Sequence, residues 1–185
     1  MLSISCHDIS TKVRKLVRRY KTSDPSELCS CMDIILCEAD FGSSETAIKA
    51  MTMTVSRVSC IQYSSALPDT VRRFIIAHEL GHAVLHRKNH IDTGFFDDIS
   101  VTEREANLFA AELLFGSSDI LYEKMKNSEG SLFQFAAEYN VPYELLAYKI
   151  EIMKDEGYDV PELPYRPDSR FLGGRLWNEN CCSCG

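Results

Sequence analysis

The sequence predicts an α+β domain, and three observations carry that reading. Helix-period apolar stripes open and close the chain, a stretch rich in Thr, Val and Ile lies between them, and no segment repeats. The chain has 185 residues, 45% hydrophobic and 25% charged, long enough to bury roughly two-thirds of the surface its unfolded form exposes. One domain is expected over residues 1–156, made of helices and sheet (1–63), central helices (69–115) and C-terminal helices (118–156). An irregular, cysteine-bearing tail is expected over 157–185.

Between Thr11 and Lys21, Val13, Leu16, Val17 and Tyr20 recur at helical spacing with Lys and Arg on the remaining positions, which predicts an amphipathic first helix. Asp24-Pro25-Ser26-Glu27 supplies an N-cap, a proline at the first helical position and a Glu at the third, so a short helix should occupy Pro25–Met32. The apolar run Ile34–Cys37 and the segments Ala50–Val55 and Val58–Tyr63 read as three strands of a small, mostly antiparallel sheet. Phe41-Gly42-Ser43-Ser44 separates the first strand from the rest, and Ser56-Arg57 fits a tight hairpin turn.

Beyond Ser65–Pro68, a long helix capped by Asp69 or Thr70 should run to about Lys88. Val71, Phe74, Ile75, His78, His82 and Leu85 share one face, and Ile76, Leu80, Ala83 and Val84 make the other apolar, which predicts a central, buried helix. His90–Ile99 reads as a loop, followed by a helix from about Ser100 to Phe115 that Gly116 ends. Further helices are expected at Ser118–Lys126, Ser131–Tyr139 and Pro142–Lys154.

Lys+Arg 20 against Asp+Glu 27 gives a net charge of −7, which argues against a protein whose whole surface binds nucleic acid. No stretch approaches the ~18 apolar residues of a membrane span, and Met1–Cys6 is too short for a signal-peptide core, so a cytoplasmic protein is expected. The eight cysteines therefore read as reduced. Cys6, Cys37 and Cys60 fit the role of small hydrophobes; Cys29 and Cys31 with Cys181, Cys182 and Cys184 do not supply the two C-x-x-C pairs of a structural zinc site.

The chemistry is concentrated in His78-Glu79-Leu80-Gly81-His82, an H-E-x-x-H sequence on a predicted helix. Residues four apart on a helix share a face, so the imidazoles of His78 and His82 can converge on one zinc ion. Glu79, rotated about 100° from His78, lies beside the metal, where a carboxylate can accept a proton from an activated water. By chance the pentapeptide should arise on the order of once in a few hundred chains of this length, and a buried His-Glu-x-x-His without a ligand leaves three polar groups to desolvate.

A catalytic zinc needs a third protein ligand. The extended metzincin pattern requires Gly at position 85 and His at position 88, and the chain has Leu85 and Lys88. On the next predicted helix Glu103 and Asn107 share a face, which offers a carboxylate ligand and an amide able to orient an imidazole from behind. Glu105 competes for the ligand position but points about 200° round the helix from Glu103, and Glu103 paired with Ser100 would also make a capping box. Ala106, Ala110 and Ala111 would let this helix approach the His helix closely.

His78–His86 (HELGHAVLH) followed by Glu103–Leu114 (EREANLFAAELL) resembles the ImmA/IrrE family of metallo-endopeptidases, and the likeness extends over roughly Tyr20–Phe115. The resemblance implies a zincin-like domain with a gluzincin-type site: one zinc on His78, His82 and Glu103, Glu79 as general base, and Asn107 orienting His78. It implies a helix-turn-helix repressor as protein substrate, one governing a mobile-element, phage-like or stress operon. The chain departs from the family's usual Leu-Leu-Met-Pro helix exit with Leu113-Leu114-Phe115-Gly116. A further donor for the oxyanion is expected, with His86, His90 and Tyr165 as candidates.

Two rival functions remain from sequence. One is a metal-binding regulator that holds a repressor without cutting it; the other is a DNA-binding switch built on the Ser131–Lys154 helices, whose Ala136–Leu146 stretch has a helix-turn-helix look. The second of those helices carries Glu144, Glu151 and Asp155 against Lys149 and Lys154, so phosphate contact is poorly supported, and direct nucleic-acid binding is not expected. The six Lys and Arg between positions 12 and 21 read as a solvated helix face.

Overall fold

The computed structural model describes residues 3–42, 48–86, 99–128 and 131–163. Its elements run α1 (Cys6–Tyr20), α2 (Pro25–Cys31), β1 (Ile35–Ala39), β2 (Ala50–Val55), β3 (Val58–Ser64), α3 (Asp69–Leu85), α4 (Ile99–Phe115), α5 (Ser118–Lys126), α6 (Leu132–Glu138) and α7 (Tyr143–Asp155). The α+β class holds. The first helix begins earlier than its apolar stripe suggests, because Ser5 caps it by accepting from the Asp8 backbone N–H and Ile9 and Val13 extend the buried face. Asp24 caps α2 as its sequence predicts, accepting from the backbone N–H groups of Ser26 and Glu27.

The sheet has the order β1-β3-β2 and is mixed, with one antiparallel and one parallel pairing. Ser56 and Arg57 both have positive φ (50° and 71°), the double left-handed turn whose twist suits a two-residue hairpin, so β2 and β3 are antiparallel. Strand β1 then pairs with the far side of β3 in parallel, Ile35 opposite Cys60 and Cys37 opposite Gln62. A parallel pair needs a long crossover, and here the chain between β1 and β3, which includes β2, supplies it. The three strands stand where the sequence places them; apolar composition alone did not distinguish the direction of β1.

Helix α3 lies between the sheet and α4, in contact with β2 and β3 on one side and with α4 on the other. Helix α4 in turn packs on α1 and α7. This layering explains the apolar surroundings of α3, where Phe74, Ile75, Ile76, Ala77, Leu80, Ala83 and Val84 are all buried. Helices α3 and α4 approach closely at Gly81: a Cβ there would stand 3.1 Å from the Cα and carbonyl oxygen of Ala106. Ala106, Ala110 and Ala111 are fully buried, as close packing of α4 requires. After α7 the chain turns at Gly157, and Tyr158, Val160 and Leu163 pack on the core.

Candidate metal centre

Helical spacing puts His78 and His82 one turn apart on the same side of α3, and α4 brings Glu103 against both. The Nε2 atoms of His78 and His82 are 3.1 Å apart. The Glu103 carboxylate reaches the first through Oε2 and the second through Oε1, each at 3.3 Å. One donor atom from each residue falls within 4.8 Å of the other two. Ligands held tetrahedrally at about 2.0–2.1 Å from a zinc ion stand about 3.3 Å from one another. Two imidazole nitrogens and a carboxylate at these separations therefore fit a zinc ion in size and in chemistry.

The three groups are electrostatically coupled. Burial alone would raise the Glu103 carboxyl, but hydrogen bonds from His78 and His82 outweigh it and hold the group well below the usual carboxylate range. Burial alone would lower His82, and the hydrogen bond and charge of Glu103, with the charge of Glu79, raise it instead. His78 is buried while His82 and Glu103 are each about one-fifth exposed, so the cluster opens to solvent on one side.

Glu79 lies on α3 beside this trio, held from the sheet. The Thr52 hydroxyl on β2 donates to Glu79 Oε2 at 2.7 Å and stands 3.0 Å from the Glu79 carbonyl oxygen. Nothing in the sequence marks Thr52, one threonine of a Thr-rich strand.

Glu105 is not part of the cluster. It is buried on another side of α4, where Oε2 lies 2.9 Å from His86 Nε2 and Oε1 accepts from the backbone N–H of Ile4 (2.6 Å) and the hydroxyl of Ser3 (3.1 Å). His86 Nδ1 lies 3.2 Å from His82 Nδ1. Both His86 nitrogens are thus engaged by neighbouring side chains, and burial pushes the imidazole below its ordinary value. Asn107 is fully buried one turn beyond Glu103, and His78 Nδ1 is buried without a hydrogen-bond partner among the described residues. His90, Tyr165, Ser100 as a cap and the Cys181–Cys184 group fall outside the described side chains.

Residues 29–151, from α2 to α7, match the model of the IrrE N-terminal-like domain, a peptidase family. The chain belongs to this family. This ImmA/IrrE-type metallopeptidase carries the His78, His82 and Glu103 cluster on the two helices that meet at Gly81. It is 34% identical over 146 residues to "Uncharacterized immunity region protein 2" of Bacillus phage phi105, covering 76% of this chain and 88% of that one. It is 29% identical over 150 residues to "Metallopeptidase ImmA" of Bacillus subtilis (strain 168), covering 77% and 83%. No described helix is long and apolar enough to cross a membrane.

Proposed function

We propose that this metallo-endopeptidase holds one zinc ion on His78, His82 and Glu103, uses Glu79 as general base, and cleaves a helix-turn-helix repressor. The observation that carries the site assignment is the convergence of the three donor atoms at tetrahedral-edge separations, with Glu79 adjoining His78 on the same helix and its carboxylate held by Thr52. Zinc in such a site supplies a Lewis acid, polarising a scissile carbonyl and acidifying water. Glu79, anchored by Thr52, takes the proton from the attacking water and delivers it to the leaving amine. Asn107, buried one turn along α4 from Glu103, is the amide assigned to orient His78, which requires a shift that brings it onto His78 Nδ1, an atom without a hydrogen-bond partner among the described residues.

Strand β2 is an edge of the sheet and carries Thr52 against Glu79, so a substrate segment pairing with that edge would run beside the cluster. The repressor as substrate rests on the family resemblance and on a relative named for a phage immunity region. The DNA-switch reading loses ground, because α7 is buried along most of its length and a recognition helix needs a free face.

The test is elemental analysis of purified wild-type, Glu103→Ala and Glu105→Ala proteins, followed by incubation of wild-type and Glu79→Gln proteins with a helix-turn-helix repressor. One zinc per chain, lost in Glu103→Ala and kept in Glu105→Ala, is expected, with cleavage lost in Glu79→Gln while zinc is retained. Wild-type protein free of zinc after metal-replete preparation would overturn the site assignment. Retained cleavage by Glu79→Gln would overturn the role given to that carboxylate.

A further inference from the structure

His86 and Glu105 are both buried, both polar, and both unused by the proposed chemistry. Their contacts form a continuous line from the N-terminal segment to the cluster, and hydrogen-bond polarity can be assigned along it. Glu105 Oε1 accepts from the Ile4 backbone N–H and the Ser3 hydroxyl, donors that call for a carboxylate. Its Oε2 therefore also accepts, and the partner 2.9 Å away, His86 Nε2, must carry hydrogen. In a neutral imidazole the other nitrogen is then an acceptor. His86 Nδ1 faces His82 Nδ1 at 3.2 Å, so His82 is the donor at that contact and carries its hydrogen on Nδ1. That leaves the His82 Nε2 lone pair for a cation; without one, a second proton on Nε2 makes the hydrogen bond to Glu103, and it is this atom which faces His78 and Glu103.

We propose that His86 and Glu105 are positioning residues: a buried hydrogen-bond relay, anchored on the Ile4 amide, that fixes the His82 ring in the tautomer and orientation a metal ion requires. This rests on the zinc site proposed above. Each link is directional, and reversing the last one would turn the His86 Nε2 lone pair onto the Glu105 carboxylate. The relay also accounts for Glu105, whose place two residues beyond Glu103 removes it from the cluster while its charge is spent on orienting another ligand. Partners behind metal-bound histidines are typically worth ten- to hundredfold in metal affinity.

The test is zinc affinity, measured by competition with a chromogenic chelator, for wild type, His86→Phe and His86→Gln, with the melting temperature of each metal-free protein as the folding control. Phe keeps the ring's bulk and removes both nitrogens; Gln gives up the ring and restores an acceptor for His82 Nδ1–H. The relay predicts that His86→Phe binds zinc about ten- to hundredfold more weakly and that His86→Gln recovers most of the loss. Packing alone predicts the reverse order, and that order, or two variants indistinguishable from wild type, would overturn the relay while leaving the zinc site standing. If neither His86 variant folds, Glu105→Leu and Glu105→Gln make the same comparison at the other end, with Gln expected to bind zinc the more tightly and the opposite ranking overturning the proposal. Absence of zinc binding in wild type would remove the site assignment, and the relay with it.

Discussion

At the scale of a single residue, the carboxylate proposed as general base is only as useful as its orientation. A glutamate has three side-chain torsions, and on a helix beside a half-open cluster Glu79 would sample several of them. The Thr52 hydroxyl restricts it from across the gap between sheet and helix. A hydrogen bond to a charged group contributes about 1.5–3 kcal/mol, which sets the scale of what its removal can cost. Thr52→Val, which keeps the β-branched shape, is expected to lower kcat/KM for peptide cleavage by about ten- to hundredfold at unchanged zinc content. Thr52→Ser should retain most of the activity. Steady-state kinetics on a cleaved substrate, paired with metal analysis, checks both; wild-type kinetics in Thr52→Val would show that the contact does not position the base.

At the scale of elements, what the sequence makes legible is what local rules govern. The α2 cap at Asp24, the Ser56-Arg57 hairpin and the buried length of α3 follow from residues close together in the chain, and each stands where expected. His78, Glu79 and His82 were readable for the same reason, because one helix fixes their spacing. Glu103 needed the added inference that a second helix lies alongside. Contacts across elements left no trace: the parallel pairing of β1 with β3, Thr52 reaching Glu79, and Glu105 reaching His86 and Ile4 join residues whose sequence neighbourhoods do not refer to one another.

The element that brings the two halves of the cluster together is the α3–α4 contact at Gly81. With backbone atoms of Ala106 only 3.1 Å from where a Cβ would sit, α4 can approach α3 this closely because position 81 has no side chain. Gly81→Ala is an ambiguous probe, because a helix interior gains about 1 kcal/mol on replacing Gly by Ala and that gain offsets part of the clash. Gly81→Val adds bulk toward both Ala106 and Phe109 Cβ, the latter 3.2 Å from the same point, with less gain in propensity. It is expected to destabilise the fold by about 1–3 kcal/mol and to weaken zinc binding together with it, as Glu103 is pushed from the histidines. Thermal melting and chelator competition give the two readouts; a variant as stable as wild type would show that the helices separate at no cost.

At the scale of the whole molecule, the site's supporting helix α4 is held on its other side by a buried ionic network that has no part in the chemistry. Lys149 on α7 is fully buried, and its ammonium reaches Glu112 Oε2 at 2.5 Å, the Gly116 carbonyl oxygen at 2.7 Å and the Ser118 hydroxyl at 3.0 Å. Glu112 is buried too, and its other oxygen accepts from Arg14 Nε on α1 at 2.8 Å; Arg14 also pairs with Glu156 after α7. One carboxylate thus joins three helices, and the Lys149 contacts with Gly116 and Ser118 tie in the turn between α4 and α5. Lys149→Met fills the space but leaves the Glu112 carboxylate buried with the half-exposed Arg14 as its remaining charged partner. Breaking a buried pair in this way typically costs about 3–5 kcal/mol, because an uncompensated charge stays behind, whereas replacing both partners by apolar residues is often close to neutral. Lys149→Met is therefore expected to lose about 3–5 kcal/mol in denaturant unfolding, and Lys149→Met with Glu112→Leu to recover much of it. The recovery separates electrostatics from packing: if the double variant is less stable than the single one by the full cost of a second core lesion, α4 is held by the ion pair itself and not merely by the need to satisfy a buried charge.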